Sequence, residues 1–346
     1  MTGAEARKDG QMKDAFDSVR RAVSGRVQTT MHPAGFHGDD KAKNFFEGWY
    51  VKLVSADRSR RLALIPGIFL GPDGEADAFV QVLDGATGRS WYHQFPREEF
   101  AADALDFDVR VGSNRFSSTG VHLDLPGLSG DVRYASSLTP WPVTPTSPGI
   151  MGWYGWVPTM ECYHGLVSFD HDLEGSLILD GERFDFSGGR GYIEKDWGQA
   201  FPSAYVWMQS NHFSTPGTSL SASMAIIPWR RSSFTGFIVG LWHRGELVKF
   251  ANYTGAKARH FEIDDDEVRW SMTSRSGMHL GLTADRVSGG LLHAPVRTQM
   301  HRRVEETLDS TIRVRLTGRD GRVIFDDVGT CAGLEVHGDL HRLPVW

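Results

Sequence analysis

Four Asp-Gly pairs, each set between two short apolar runs, limit what this chain can fold into more than any other feature. They are Asp73-Gly74, Asp84-Gly85, Asp180-Gly181 and Asp320-Gly321. Asp-Gly is favoured in tight hairpin turns because these two residues tolerate the positive φ angles that such turns require. Many short strands linked in this way predict an all-β barrel or sandwich.

Strands around these turns can be predicted one by one. Residues 182–186, 219–229, 234–242 and 246–255 are predicted strands, and a turn at Arg244-Gly245 joins the last two. One later segment, QMHRRVEETL (299–308), is instead predicted to be a helix, because Met300, Val304 and Leu308 share one side of it.

Two stretches differ from the strand pattern. Residues 1–30 are a polar extension in which Met12, Phe16, Val19 and Val23 recur at helical spacing, so a short amphipathic helix and a frayed tail both remain open. Residues 136–159 contain five prolines and three tryptophans, which predicts an ordered aromatic loop, either a lid or a surface crossover. The rest is expected to divide near residue 200 into two similar β units, 31–200 and 201–346, because ECYHG (161–165) is faintly repeated in LEVHG (334–338).

Composition excludes several classes of protein. A net charge of −6 gives no basic surface for nucleic acid. Two cysteines, Cys162 and Cys331, cannot build a disulfide framework, and no apolar run has the length of a membrane span or a signal peptide core. We therefore expect a soluble cytoplasmic protein, while transient contact with a membrane surface remains open. The HGDLH motif (337–341) lacks a third ligand nearby, so no metal is expected.

The segment GYIEKDWG (191–198) places two carboxylates on one face if it is a strand. Tyr192, Glu194 and Asp196 then share one face, and Ile193, Lys195 and Trp197 share the other. Two carboxylates in an apolar setting raise the pKa of one of them, which suits a general acid. The alternative is an ion-pair latch, in which Asp196 or Glu194 binds Arg190 or Lys195 and holds two β units together.

Two further segments mix rings with polar groups. In AYVWMQSNHF (204–213), alternation predicts that Tyr205, Trp207, Gln209, Asn211 and Phe213 share a face, which suits a cavity lining or an outer barrel face. In NFFEGWYVKL (44–53), Glu47 lies between aromatic residues, so it is either a second functional carboxylate or the partner of an arginine. Glu161 is a weaker third candidate acid.

These motifs resemble the tocopherol cyclase family. The resemblance rests on NFFEGWY (44–50), MECYHG (160–165), GGRGYIEKDWG (188–198) with QSNHF (209–213), SLSASMAIIP (219–228) and AGLEVHG (332–338). It extends over nearly the whole chain from about residue 33. Because the plastid-targeting segment of the plant members is not seen, the chain resembles a bacterial-type member.

The resemblance implies a fold, a pocket and a chemistry. It implies two lipocalin-like β-barrel units in tandem, with a pocket near their junction that holds a prenylated phenol or other terpenoid, and it implies no cofactor. In the family reaction an acid protonates a trisubstituted alkene, and a phenolic oxygen traps the tertiary cation to close a chromanol ring. Alkene hydration or pericyclic ring closure in the same pocket, and non-catalytic lipid binding, remain alternatives.

Residue roles follow as expectations from this chemistry. Asp196 is expected to donate the proton while Glu194 raises its pKa, and Glu47 is the second candidate donor or the base for the phenolic proton. The expected substrate contacts are Trp49, Trp197 and Trp207 as cation-stabilising rings, Gln209 and Asn211 as partners of the quinol oxygens, and Tyr50, Tyr192, His212 and Glu161 as further pocket residues.

Overall fold

The structure, a computed structural model, describes residues 25–229, 231–297 and 299–343. Residues 25–31 are helical, and nearly all the other regular structure in these ranges is β-strand. No helix in the described part of the chain has the length and apolar character needed to cross a bilayer. The predicted amphipathic helix with Met12, Phe16, Val19 and Val23 lies outside the described residues.

The strands follow one another in two groups along the chain. The first group is β1 (Phe45–Val54), β2 (Arg61–Leu70), β3 (Ala76–Asp84), β4 (Arg89–Phe95), β5 (Phe100–Ala102), β6 (Asp108–Val111), β7 (Asn114–Ser117), β8 (Gly120–Leu125), β9 (Leu128–Tyr134), β10 (Val143–Thr144), β11 (Ser147–Pro148), β12 (Cys162–Leu179), β13 (Glu182–Asp185) and β14 (Arg190–Gly198). The second group is β15 (Ala204–Ser210), β16 (Ser219–Trp229), β17 (Ser232–His243), β18 (Glu246–Ala251), β19 (Lys257–Ile263), β20 (Glu267–Thr273), β21 (His279–Asp285), β22 (Gly290–Val296), β23 (Gln299–Thr317) and β24 (Val323–Gly338). Short 3-10 helices occupy Arg97–Glu99, Gly152–Trp156, Asn252–Thr254 and Leu340–Arg342.

The two groups form two large sheets of similar plan. Among the described residues, a 12-stranded sheet runs β4-β3-β2-β1-β14-β12-β9-β8-β7-β6-β5, with β13 paired to β12. A 10-stranded sheet runs β18-β17-β16-β15-β24-β23-β21-β20-β19, with β22 paired to β23. In each sheet, four consecutive antiparallel strands (β1 to β4, or β15 to β18) are followed by the last strand of the group (β14 or β24) and then by a long strand (β12 or β23). We call the two parts unit 1, through β14, and unit 2, from β15.

The predicted hairpin turns are confirmed. Each of the four Asp-Gly pairs links antiparallel partners, namely β2 with β3, β3 with β4, β12 with β13, and β23 with β24. Gly74, Gly181 and Gly321 have φ angles of 91°, 85° and 79°, which glycine adopts without steric cost. The turn at Arg244-Gly245 joins β17 to β18 as predicted.

The predicted helix at residues 299–308 is wrong, because this segment is the first half of β23. Its apolar residues Met300, Val304 and Leu308 recur every four residues. Residues separated by an even number of positions share one face of a strand. The spacing therefore fits one face of a strand as well as one face of a helix. Pairing with β22 and β24 on its two sides decides the outcome in favour of the strand.

The Pro- and Trp-rich segment 136–159 is ordered and crosses the junction between the units. It contains the β10–β11 hairpin and the 3-10 helix at Gly152–Trp156, and Trp141 is buried within it. Tyr253 of unit 2 donates a hydrogen bond to the Ile150 carbonyl at 2.8 Å. Each unit also has its own apolar core, and a third apolar cluster fills the junction. Residues of this segment therefore form part of a wall between the two units.

Candidate active site

A cavity lies at the junction of the two units. It contains about 1430 Å³ of empty space, counting the part that is open to solvent. Strands β1, β12 and β14 of unit 1 and β15, β23 and β24 of unit 2 all contribute side chains to it. Both sheets thus turn one face to their own core and the other face toward this shared space.

Strand alternation decides which residues of β14 reach the cavity. Glu194 and Asp196 line it, and Tyr192 is buried on the same face, where its hydroxyl donates a hydrogen bond to Glu194. Lys195 and Ile193 point to the opposite side, into unit 1. The two faces of GYIEKDWG therefore divide as a period of two predicts.

His164 of β12 joins these two acids to form the first acid group (His164, Glu194 and Asp196). Its Nδ1 lies 2.9 Å from an oxygen of Asp196, and its Nε2 lies 3.6 Å from an oxygen of Glu194. Burial alone would lower the pKa of His164, but the charges of Asp196 and Glu194 raise it to about 9. Asp196 is thus held in an ion pair with an imidazolium.

Glu194 is the carboxyl of this group whose protonation is most altered. Burial raises its pKa to about 7, against the opposing charge of His164. The sequence predicted that Glu194 would perturb Asp196. In the structure Glu194 is instead the more buried of the two acids, and Asp196 is the one paired with His164.

The first acid group also has the spacing of a cation site. One donor atom from each of its three residues lies within 4.8 Å of the other two. A proton on His164 already balances the negative charge there, and it would compete with a metal ion for the same atoms. His337 and His341, the pair examined in the sequence, do not belong to this group.

A second acid group (Tyr50, Tyr205, Glu306 and Glu335) combines Tyr50 of unit 1 with three residues of unit 2 at the cavity. Tyr50 donates a hydrogen bond to Oε1 of Glu306, and Tyr205 donates one to Oε2 of Glu335 at 2.7 Å. Burial and the nearby Glu335 carboxyl raise the pKa of Glu306 well above its usual value. Burial raises the pKa of Glu335 to about 7.

Sequence reasoning missed Glu306 and Glu335 as site residues. Glu306 was hidden because the segment around it was assigned to a helix, which places residue 306 on the side opposite residues 304 and 308. As a strand, the segment places Glu306 between the buried side chains of Val304 and Leu308 on one face. The signal available in the sequence was an acid, Glu306, with an apolar residue two positions before it and another two positions after it. For Glu335, the faint repeat of ECYHG in LEVHG aligns the residue with Cys162 and not with an acid, so it gave no such signal.

The rest of the cavity is apolar and aromatic. Rings and aliphatic side chains from both units and from the 136–159 segment line it, and they include Phe46, Phe79, Met151, Tyr154, Met160, Phe201, Ile227, Phe234, Ile238, Leu292 and Met300. Trp207 also lines it and packs edge-on against Tyr50, with ring centroids 5.3 Å apart. Such a lining suits a hydrophobic ligand with a few polar atoms.

Glu47 does not line this cavity. It is fully buried inside unit 1, where it is ion-paired with Lys195 and hydrogen-bonded to His37. Lys195 and His37 hold the pKa of Glu47 below its usual value although burial acts in the opposite direction. The partner is thus a lysine rather than the arginine considered from the sequence.

Trp49 and Trp197 surround this buried pair and are likewise not among the cavity-lining residues. The Lys195 nitrogen lies 4.4 Å from the centroid of Trp49 and 4.8 Å from that of Trp197. Trp197 also stacks on His37 at 4.2 Å. Both rings occur at odd-numbered positions of their strands, on the face that points into unit 1, so strand alternation carries them away from the cavity.

Gln209 and Asn211 hold the two units together beside the cavity, and His212 bonds to Asn211. Lys52 of unit 1 donates a hydrogen bond to Gln209 Oε1 at 2.7 Å, and Asn211 donates one to Asp170 at 3.0 Å. Burial lowers the pKa of His212 to about 2, so this histidine is neutral. None of the three is among the cavity-lining residues, so they are not placed to bind a quinol there.

Two remaining sequence predictions concern Phe213 and Glu161. Phe213 was predicted to share a face with Tyr205 and Trp207, but it packs in the core of unit 2. The reason is that β15 ends at Ser210, after which strict alternation no longer applies. Glu161 forms an ion pair with Arg297 at 2.6 Å across the units and is not among the cavity-lining residues.

The fold defines a class of protein with two lipocalin-like β units in tandem and a pocket at their junction, as predicted. A putative AttH from Nitrosomonas europaea shares this fold, with a TM-score of 0.53, 13% identity, and coverage of 89% of this chain and 95% of that chain. CghA with Sch210972 gives a TM-score of 0.53 at 12% identity, covering 85% of this chain and 89% of that chain. At these identities the likeness establishes the fold alone.

The chain belongs to the tocopherol cyclase-like family, whose model matches residues 115–338. The chloroplastic tocopherol cyclase of Zea mays is 28% identical over 203 residues, which are 54% of this chain and 41% of that protein. A probable chloroplastic tocopherol cyclase of Oryza sativa subsp. japonica is 25% identical over 382 residues, covering 90% of this chain and 79% of that protein. The alignment thus spans less than half of the maize relative. The resemblance found in the sequence motifs is confirmed.

Proposed function

We propose that this protein is a cofactor-independent cyclase that protonates an alkene of a hydrophobic substrate and closes a ring onto a phenolic or related oxygen. The observation that carries the proposal is an apolar cavity with buried carboxyl groups, because burial raises the pKa of Glu194 to about 7 and that of Glu306 well above its usual value. Alkenes are very weak bases, so their protonation requires an acid that is still protonated and shielded from water.

The two acid groups supply the parts that such a reaction needs. A neutral carboxyl donates the proton, and a nearby carboxylate stabilises the cation and later accepts the phenolic proton. Asp196, expected from the sequence to be the donor, is proposed here to orient His164 instead, because its carboxyl oxygen lies 2.9 Å from Nδ1 of that imidazole. The faces of Trp207 and Tyr50 would add about 0.5–2 kcal/mol each to the stability of a carbocation.

The family supports a substrate class. The maize and rice relatives are named tocopherol cyclases, which favours a prenylated hydroquinone and closure of a chromanol-type ring. Most of the cavity lining is apolar or aromatic, and its carboxyl groups all lie on strands β14, β23 and β24. This distribution fits a polar ring held near the acids with a terpenoid chain along the apolar walls.

Alkene hydration and pericyclic closure would use the same cavity, and a carrier would need only its apolar walls. A carrier, however, gains nothing from Glu194 and Glu306, because burying carboxyl groups costs free energy. The presence of both acids in the cavity therefore favours an enzyme over a carrier.

Turnover and binding measured on the same variants test this proposal. Purified protein is incubated without oxygen with a prenylated hydroquinone, the product is quantified by chromatography, and binding is followed by tryptophan fluorescence. We expect Glu194→Gln and Asp196→Asn to lower turnover by about 10²-fold or more while affinity changes little. Glu98→Gln, on an exposed 3-10 helix, is the control. Unchanged turnover in both cavity variants, or binding without any turnover in the parent protein, would contradict the proposal.

A further inference from the structure

Glu306 has the geometry of an acid aimed at a ligand. Its side chain is completely buried from solvent and lines the cavity. Oε1 accepts the hydrogen bond from Tyr50. Oε2 is buried with no donor to it among the described residues, but the Glu335 carboxyl bonds to Glu306 once one of the two acids carries a proton. A buried carboxylate oxygen without a donor is costly, so a proton shared within this pair of acids is favoured.

Glu335 stands directly opposite Glu306 across the β23–β24 pair. Two carboxyl groups placed so closely cannot both ionise, since the second charge would be formed beside the first. Each acid accepts one tyrosine hydrogen bond, Glu306 from Tyr50 and Glu335 from Tyr205, so these bonds do not distinguish the two carboxyls. Burial and the Glu335 carboxyl raise the pKa of Glu306 well above its usual value, whereas burial raises the pKa of Glu335 to about 7, so the proton of the pair is held mainly by Glu306.

The Tyr50 ring connects this pair to Glu194. In the β1–β14 register, Tyr50 is the residue directly opposite Glu194, and its hydroxyl reaches Glu306 in the other unit. One residue thus stands next to a carboxyl of each acid group. The two carboxyls differ in their surroundings, since Glu194 faces the His164 imidazole and Glu306 faces another acid.

We propose that Glu306 delivers the proton to the substrate alkene and that Glu194 accepts the phenolic proton. This inference rests on the proposed function and assigns its acid and its base. The Oε2–H bond of Glu306 breaks as a C–H bond forms at the less substituted alkene carbon. The phenolic oxygen then bonds to the tertiary cation, and its proton passes to the Glu194 carboxylate. A proton returned from Glu194 to Glu306, through Tyr50 or solvent, restores the starting state, so the reaction is a net isomerisation.

Glu306→Gln tests the assignment of the acid. The amide has nearly the same shape and can still accept from Tyr50, but it cannot donate an acidic proton. We expect turnover with a prenylated hydroquinone to fall about 10²–10⁴-fold while the dissociation constant of the substrate changes little. Glu305→Gln, the exposed neighbour on the other face of the strand, is the matched control and should retain parent turnover.

Infrared spectroscopy gives a readout that does not depend on turnover. The difference spectrum of parent protein minus Glu306→Gln at pH 7 should contain the C=O band of a protonated carboxyl group. The same difference for Glu305→Gln should contain a carboxylate band instead.

The possible results separate this assignment from the proposed function. Full turnover in Glu306→Gln, with a parent protein that cyclises the quinol, would overturn the assignment and leave the proposed function standing. A parent protein without turnover on any prenylated quinol would remove both, whatever the infrared band shows. A carboxylate band for Glu306 would overturn its role as the acid.

Discussion

Burial of Glu194 has a cost that can be measured as a pH dependence of stability. Its pKa is about 7 in the folded protein against an ordinary value of 4.5, so between these values the folded state holds a proton that the unfolded chain has lost. The stability that this proton brings is complete below about pH 4.5 and is lost as the pH rises through 7. The full change is about 3 kcal/mol, at about 1.4 kcal/mol per pKa unit.

The variant Glu194→Gln should therefore flatten the profile of unfolding free energy between about pH 4.5 and 7. Urea unfolding at a series of pH values measures it, with Glu98→Gln as the exposed control. If the parent and Glu194→Gln profiles run parallel across this range, the carboxyl is not perturbed as the structure indicates.

At the level of single strands, the pair Glu47–Lys195 joins β1 to β14 inside unit 1. Removing one member leaves the other charged and buried. We expect Lys195→Met to lower the unfolding free energy by about 3–5 kcal/mol, and the double variant Glu47→Gln/Lys195→Met to recover much of that loss. Chemical denaturation of the single and double variants measures the coupling.

The Glu47–Lys195 pair also predicts a structural rather than a catalytic role for Glu47. A structural Glu47 predicts that Glu47→Gln lowers activity only in proportion to the folded fraction. Loss of turnover in a fully folded Glu47→Gln protein would show instead that Glu47 takes part in the chemistry.

Strands were predictable from the sequence where local rules decide the outcome. Residues 219–229 form β16 with the predicted bounds, and the Asp-Gly pairs mark real hairpins, because turn chemistry and side-chain alternation are local properties. The segment 299–308 failed because a spacing of four suits both a helix and a strand, and only the neighbouring strands β22 and β24 distinguish them. The sequence of segment 299–308 does not by itself specify pairing with these two strands.

The site was predictable only in part for the same reason. Alternation placed Glu194 and Asp196 together on one face, but it could not tell which face of β1 or β14 meets the second unit. Trp49, Trp197 and Glu47 lie on the face that packs into unit 1, whereas Tyr50 lies on the face that meets unit 2. The approach of Glu306 to Tyr50, 256 residues apart in the chain, depends on how the units dock.

In the whole molecule, the cavity exists because the two units share it. Neither sheet alone encloses it, and Lys52, Gln209, Asn211 and Asp170 fix the units against each other beside it. The first acid group belongs to unit 1, and Glu306, Glu335 and Tyr205 belong to unit 2. An acid and a base for one substrate can thus come from different units and face each other across the junction.

The most direct measurement of the central claim is an incubation of purified protein with a prenylated hydroquinone in D₂O without oxygen, read by mass spectrometry. Protonation of the alkene by a carboxyl that has exchanged with solvent predicts a cyclised product with one deuterium on carbon. An incubation without protein corrects for spontaneous cyclisation. A cyclised product with no deuterium on carbon, or a product that has gained solvent oxygen, would contradict ring closure by protonation.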